Sequence, residues 1–208
     1  TLLEEALAGA LEAEDKKAMA HPHITMGDIF FVQERDIPRA VKEYEISLAQ
    51  FRELHNSLGM IYSLSTLGEY HHLLGDHVYG QQLYQEALVV VRDFAPNSNP
   101  YEFIIAGLGS VARALGNPER AVRLFSAVSK LFTINFANEH PLDTHFRQDV
   151  AALRDQLGEA TFSRLWAAGE AMTREQTIAF GLQTEPVSQP TQLVQPNETQ
   201  PATDALTE

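Results

Sequence analysis

The residues of this chain best suited to chemistry are its eight histidines. His21-Pro22-His23 sets two imidazoles two positions apart at a helix start. His71 and His72 are adjacent, His77 follows them across a turn, and His140 and His145 are five apart. Zinc takes three or four convergent ligands, and helical ligand pairs stand three or four residues apart so that both face one way. None of these spacings meets that demand. The chain has no cysteine, which removes thiolate sites and disulfides. The histidines therefore read as solvated or packed side chains. Ser63, Ser65 and Thr66 lie near carboxylates without a nucleophile–base spacing, and no G-x-x-x-x-G-K-[ST] loop is present. The sequence predicts no enzyme, no cofactor and no metal site.

Bulk properties narrow the function further. A formal net charge of −13 opposes a nucleic-acid surface, because phosphate affinity rests on clustered Lys and Arg. No apolar run approaches the roughly 18 residues of a membrane span, and no charged-then-apolar leader opens the chain. A cytoplasmic protein is expected. With 208 residues the chain is one domain or one short repeat array.

The elements that must position any site announce themselves by repetition. Met26-Gly27, Leu67-Gly68 and Leu108-Gly109 recur at 41-residue steps. A turn follows each: Asp36, Gly75-Asp76 and Gly116-Asn117. Four residues beyond the turn comes a small side chain (Ala40, Gly80, Ala121), and four further an aromatic one (Tyr44, Tyr84, Phe125). Each unit reads as helix, tight turn, helix. The Gly column lets two backbones approach, and small-x-x-x-aromatic places both residues on one helical face. Gly75 and Gly116 end the first helices. Pro38 and Pro118 sit where a helix start has no use for an N–H. The first unit has one extra residue before Asp36, and Pro22 falls within its first helix, so a kink or a late start is expected there.

Past residue 135 the pattern changes. Leu142, Phe146, Val150, Leu153 and Leu157 form an amphipathic stripe closed by Gly158. Phe162, Leu165 and Trp166 share a second face, and Thr173 with Gln176 forms a capping box. The expected organisation is a second helix of a truncated preceding repeat at 1–14, three helix pairs at 15–134, capping helices at 135–182 and an acidic Pro/Gln/Thr-rich tail at 183–208. The tail is expected to be disordered, having too little apolar surface to offset its ordering entropy. Because the chain opens on an amphipathic helix, it is expected to be a fragment of something longer.

Leu67-Gly68…His71 followed by Gly80…Tyr84 and Ala87 resembles the tetratricopeptide repeat (TPR), whose pattern includes L-G-x-x-Y and then A-x-x-x-F. The period of 40–41 instead of 34, and Arg52 and Arg92 in place of the closing Pro, mark a long-helix variety. The ending AVRLFSAVSKL…DVAALRDQLGEATFSRLWAAGEAMTREQTIAFGL is similar to the C-terminus of bacterial multidomain signal-transduction ATPases and of LuxR-type or AfsR-type regulators. The resemblance implies an all-α, right-handed superhelix of TPR-like helix pairs with a C-terminal helical cap. The first helices would line the concave face with His21, Ile24, Asp28 and Phe31, then Tyr62, Ser65, Glu69 and His72, then Phe103, Ala106, Ser110 and Arg113. A row of Tyr62 and Phe103 beside Asp28 and Glu69 suits an apolar or basic peptide. The alternative for these rings is packing between units, which the insertion beside Phe31 favours there. The function implied is non-catalytic binding of a protein or peptide segment, or of a small-molecule inducer, as the sensor region of a larger regulator. The rivals are a stand-alone scaffold and self-association through an N-terminal face bearing Leu3, Leu7 and Leu11.

Overall fold

The computed structural model describes residues 16–95, 101–135 and 141–183, with side chains over 21–95, 101–129 and 146–183. The leading segment with Leu3, Leu7 and Leu11, the tail beyond Gln183, and the side chains of His140, Leu142 and His145 lie outside them. Among the described residues the chain is all-helical and has no strand. Helix α1 (Lys16–Ile29) continues into a π-helical turn (Phe30–Glu34). Then come α2 (Ile37–Glu53), α3 (Ser57–Leu73), α4 (His77–Phe94), α5 (Tyr101–Ala114) and α6 (Pro118–Asn135). The last three are α7 (Pro141–Leu157), α8 (Glu159–Glu170) and α9 (Arg174–Leu182). Helices α1 and α2, α3 and α4, and α5 and α6 pack as pairs, and each pair abuts the next. Helix α8 lies along α6, α7 touches α5, α6 and α8, and α9 folds back over α4, α5 and α6.

Local chemistry explains where the helices stop and start. Three turns share one design. The amides of Gly75 and Asp76 donate back to the carbonyls of His72 and His71, and those of Gly116 and Asn117 to Arg113 and Ala112. The amides of His55 and Asn56 do the same to Arg52 and Phe51. This pattern satisfies the orphan carbonyls of the ending helix and needs a left-handed residue at its centre. Gly75 and Gly116 supply it with φ of 87° and 79°. The next residue then caps the following helix: Asn56, Asp76 and Asn117 accept from the amides of Gly59, Tyr79 and Arg120. Asp36 accepts from Arg39 in the same way.

The extra residue of the first unit is absorbed by the π-helical turn, where the Arg35 amide donates to the carbonyl of Phe30, five residues back. A π-bulge is how a helix accommodates one inserted residue. Pro22 lies inside α1, so a late start is not what the chain adopts.

At the third of these turns the left-handed residue is His55, with φ of 51°. A side chain carrying a Cβ costs about 1–2 kcal/mol in that conformation. His55→Gly is expected to stabilise the fold by about 0.5–1 kcal/mol after allowing for glycine's larger unfolded-state entropy. Urea denaturation with an unchanged slope would read the gain directly. An unchanged midpoint would mean that the imidazole has a compensating contact.

The repeated Gly and aromatic columns meet in the core. A Cβ at Gly27 would stand 2.6 Å from the Tyr44 ring, one at Gly68 3.1 Å from Tyr84, and one at Gly109 2.7 Å from Phe125. Each aromatic of a second helix thus lies flat against the glycine of its first helix. Tyr44, Tyr84 and Phe125 are all buried. The small column works from the other side, since a Cβ at Gly80 would meet the Gly68 carbonyl oxygen at 2.8 Å. Tyr84 also reaches Gly107 of the following unit, and Phe51, outside this column, reaches Gly59, so rings of the second helices join neighbouring units.

Candidate functional site

The face carried by α1, α3 and α5 divides into two parts. The first is an open groove of about 280 Å³ between α3, α5 and α7. Its lining is aromatic, with the buried rings of Tyr84, packed at Gly107, and Phe125, packed at Gly109, beside Phe103 and Phe146. The rim carries Glu69, His72, Ser110, Arg113 and Asp149. Six residues anticipated from repeat columns therefore come together here: Glu69, His72, Phe103, Ala106, Ser110 and Arg113. Phe103 keeps 39 % of its surface exposed.

The cap contributes what the repeat columns did not indicate. Asp149 of α7 reaches back to α5, where Arg113 Nη2 lies 2.9 Å from one carboxylate oxygen and the Ser110 hydroxyl donates to the other at 3.2 Å. Phe146 stands edge-on to Phe125 with centroids 5.1 Å apart. Asp149 occupies the turn between Phe146 and Leu153 on the apolar stripe of α7. A carboxylate beside that stripe was the available signal that it pairs with something.

The second part lies between α1 and α3. The Tyr44 hydroxyl donates to Asp28 Oδ1 at 2.5 Å. Tyr62 lies 6.1 Å from Tyr44, centroid to centroid, and Tyr70 crosses Tyr44 edge-on at 5.6 Å. Phe31 lies against Tyr70 at 4.8 Å, so it packs between units. Tyr44, Tyr70 and Tyr84 all have pKa values raised above the ordinary phenol value, in each case first by burial. Behind burial, Asp28, Glu69 and Tyr62 act on Tyr70, and Glu69 acts on Tyr84. All three remain neutral donors at physiological pH.

The remaining anticipated residues lie outside the groove. The His21 ring meets Phe51 edge-on at 5.5 Å, and Ile24 packs on the core. The Ser65 hydroxyl donates to the Tyr62 carbonyl within its own helix. His23, which α1 turns inward, pairs with Glu43 at 2.6 Å. Among the described residues no three His, Asp or Glu side chains converge to hold a metal, and no helix is long and apolar enough to cross a membrane.

Two larger depressions lie off this face. One, of about 490 Å³, is alanine-lined between α6, α8 and α9. Its Arg123 guanidinium sits 4.2 Å above the Phe180 ring. The other, of about 340 Å³ beside α2 and α4, holds Arg52 and Glu86, which form an ion pair. The first has apolar walls edged by Arg123, Gln176 and Gln183 but lies wide open to solvent, and the second is lined mainly by polar and charged side chains, whereas ligand sites are concave and mostly apolar.

His72 gives the groove a pH dependence. Its Nδ1 is 3.0 Å from Nδ1 of His77, a contact that works only while one ring supplies an N–H and the other a lone pair. Burial lowers its pKa below 6.5, His77 lowers it further, and Asp149 partly opposes the shift. A folded value below the unfolded one means that the unfolded chain takes up the proton first. Stability is therefore lost as pH falls below about 6.5 and is untouched above it. His72→Asn is expected to flatten the fall in melting temperature between about pH 6.5 and 5 relative to wild type. Parallel melting-temperature curves for the two proteins would exclude this role.

No protein-family model matches the chain, and no curated protein matches it in sequence, so the functional reading rests on the geometry of this face.

Proposed function

We propose that the chain is a non-catalytic binding module, a long-helix TPR-like superhelix whose first helices line a concave recognition face. Its ligand is a protein or peptide segment that seats an apolar side chain in the groove. A volume near 280 Å³ is at the small end for ligand cavities. That size suits one large side chain better than a cofactor or an extended small molecule. The observation that carries the reading is the exposed Phe103 ring in an aromatic lining, ringed by Glu69, His72, Ser110 and the Arg113–Asp149 pair. In line with the sequence resemblance, the module acts as the regulatory sensor region of a larger cytoplasmic bacterial signalling or transcriptional regulator. Binding moves an attached switch only as far as the ligand discriminates between its states.

A random-peptide display library panned on the chain tests this. Recovered peptides are expected to lose at least tenfold in affinity, about 1.4 kcal/mol, on Phe103→Ala, with the melting temperature little changed. They are expected to shift the amide resonances of α3 and α5. Peptides that bind equally well to Phe103→Ala, or that shift only residues outside the groove, would refute the proposal.

A further inference from the structure

The partner's charge can be read from the same face, and this step rests on the proposed function. We infer that the ligand is an extended basic peptide whose arginine guanidinium sits on Tyr62 against the Asp28 carboxylate, about three residues from the apolar side chain held in the groove.

Asp28 and Glu69 occupy the same repeat column one unit apart. Asp28 is held by a neutral phenol, Tyr44, and among the described residues no Lys or Arg pairs with it. A carboxylate that accepts one hydrogen bond through Oδ1 retains further lone pairs for a donor from outside. Tyr62, 44 % exposed, lies beside Tyr44 and presents an aromatic surface at the same place. A carboxylate next to an exposed aromatic ring is the chemistry that recognises a guanidinium, which stacks on the ring and donates from its edge.

The charge of the face is graded. At the third position of the column the residue is Ser110, and Asp149 beside it is already neutralised by Arg113. Asp28 therefore keeps its charge at the α1 end while the carboxylate beside α5 is paired, which places the ligand's positive charge over α1 and its apolar side chain by α5. First helices of adjacent units stand about 8–10 Å apart, the span of roughly three extended residues. The chain's own residues 184–208 contain no Lys or Arg and cannot supply this ligand. A second copy with formal charge −13 is repelled from the same face.

The test uses the 208-residue chain and the peptide acetyl-Arg-Ala-Ala-Phe-Ala-Ala-Arg-amide, which offers the spacing in either direction. Its counterparts carry citrulline for both arginines, or alanine for phenylalanine. Binding is read from amide chemical shifts of labelled protein at low and high salt. Citrulline is expected to weaken binding at least tenfold, and added salt to weaken only the arginine peptide. Asp28→Asn keeps an acceptor for the Tyr44 hydroxyl and is expected to bring the arginine peptide down to the citrulline peptide. Tyr62→Leu is expected to act in the same direction.

Equal affinity of the arginine and citrulline peptides, with both lost on Phe103→Ala, would overturn the inference while leaving the groove function standing. An arginine preference that survives Asp28→Asn would overturn it as well. Arginine-dependent binding that ignores Phe103→Ala would remove the groove and keep the cation site. No shift with any peptide at millimolar concentration would reject both.

Discussion

Gly169→Ala is expected to destabilise the fold by about 3 kcal/mol, lowering the melting temperature by roughly 6–12 °C for a chain of this size. The sign is what makes the expectation informative. In an exposed helix interior the same change stabilises by about 1 kcal/mol, because alanine loses less backbone entropy than glycine. Gly169 lies in α8 where that helix crosses α6. A Cβ there would fall inside the contact radii of the Ser126 hydroxyl and the Arg123 carbonyl oxygen, with the Arg123 Cα only 3.0 Å away. The hydroxyl can rotate, but the carbonyl belongs to α6 and cannot yield without moving the helix. Separating the two helices would open the packing of Phe162 and Leu165, which are buried in the core. Ser126→Ala in the Gly169→Ala background is expected to recover only part of the loss, since the backbone clash remains. A neutral or stabilising Gly169→Ala, measured by urea unfolding, would mean that α8 does not approach α6 this closely.

Gly169 also shows where the sequence was legible and where it was not. Gly27, Gly68 and Gly109 were readable as close-approach positions because they recur at 41-residue steps, although what lies against each is an aromatic ring of the second helix. Gly169 belongs to no repeat. It nevertheless follows Phe162 and Leu165 at i+7 and i+4 on the same stripe. A glycine on a buried stripe marks a helix crossing, so the signal existed without the name of the opposing helix. Gly59 and Gly107 are similar, because their ring partners Phe51 and Tyr84 sit in neighbouring units.

The candidate site was legible to the extent that it is built by the repeat. Counting from the glycine anchor found Glu69, His72, Phe103, Ser110 and Arg113 at the groove, and Asp28 and Tyr62 beside it. His21 lies outside the groove, with its ring edge-on to Phe51. Such counting could not supply Phe146 or Asp149, which reach the groove only because α7 docks on α5. Docking geometry of a non-repeating helix depends on long-range contacts that no local pattern encodes. The Arg113–Asp149 pair changes the chemistry of the site as well. An isolated Arg113 would suit an anion, and pairing with Asp149 offsets that charge within the groove.

The same limit applies to Arg120, where the second large effect is expected. Arg120→Met should cost about 3–5 kcal/mol and release α9 from the body of the fold. Only 5 % of Arg120 is exposed. Its Nη2 donates to the carbonyls of Phe180, Gly181 and Gln183 at 2.8, 3.2 and 2.8 Å, and the guanidinium lies 4.7 Å above the Phe180 ring. A helix ends with carbonyls that have no intrahelical partner, and here one buried cation from α6 serves the end of α9 while complementing its dipole. Methionine matches much of the volume and none of the donors: the Gln85 amide still reaches the carbonyls of Gly181 and Gln183 at 3.3 and 3.4 Å, but the Phe180 carbonyl keeps only the long bond from the Gln183 amide. Water reaches the Phe180 carbonyl only if α9 undocks, which uncovers the Leu88, Ile105 and Leu108 side chains that Gly181 now abuts. Arg120→Lys is not expected to rescue, because its shorter flexible stem does not carry the ammonium to the position of Nη2 and gives up the guanidinium plane stacked on Phe180. Hydrogen exchange would resolve the outcome by residue. The amides of Thr177 to Gly181 should lose their protection in Arg120→Met, while α2, α3 and α4 keep theirs. A uniform loss across all helices would make α9 part of the global folding unit, and unchanged protection in α9 would show that its apolar face holds it without the arginine.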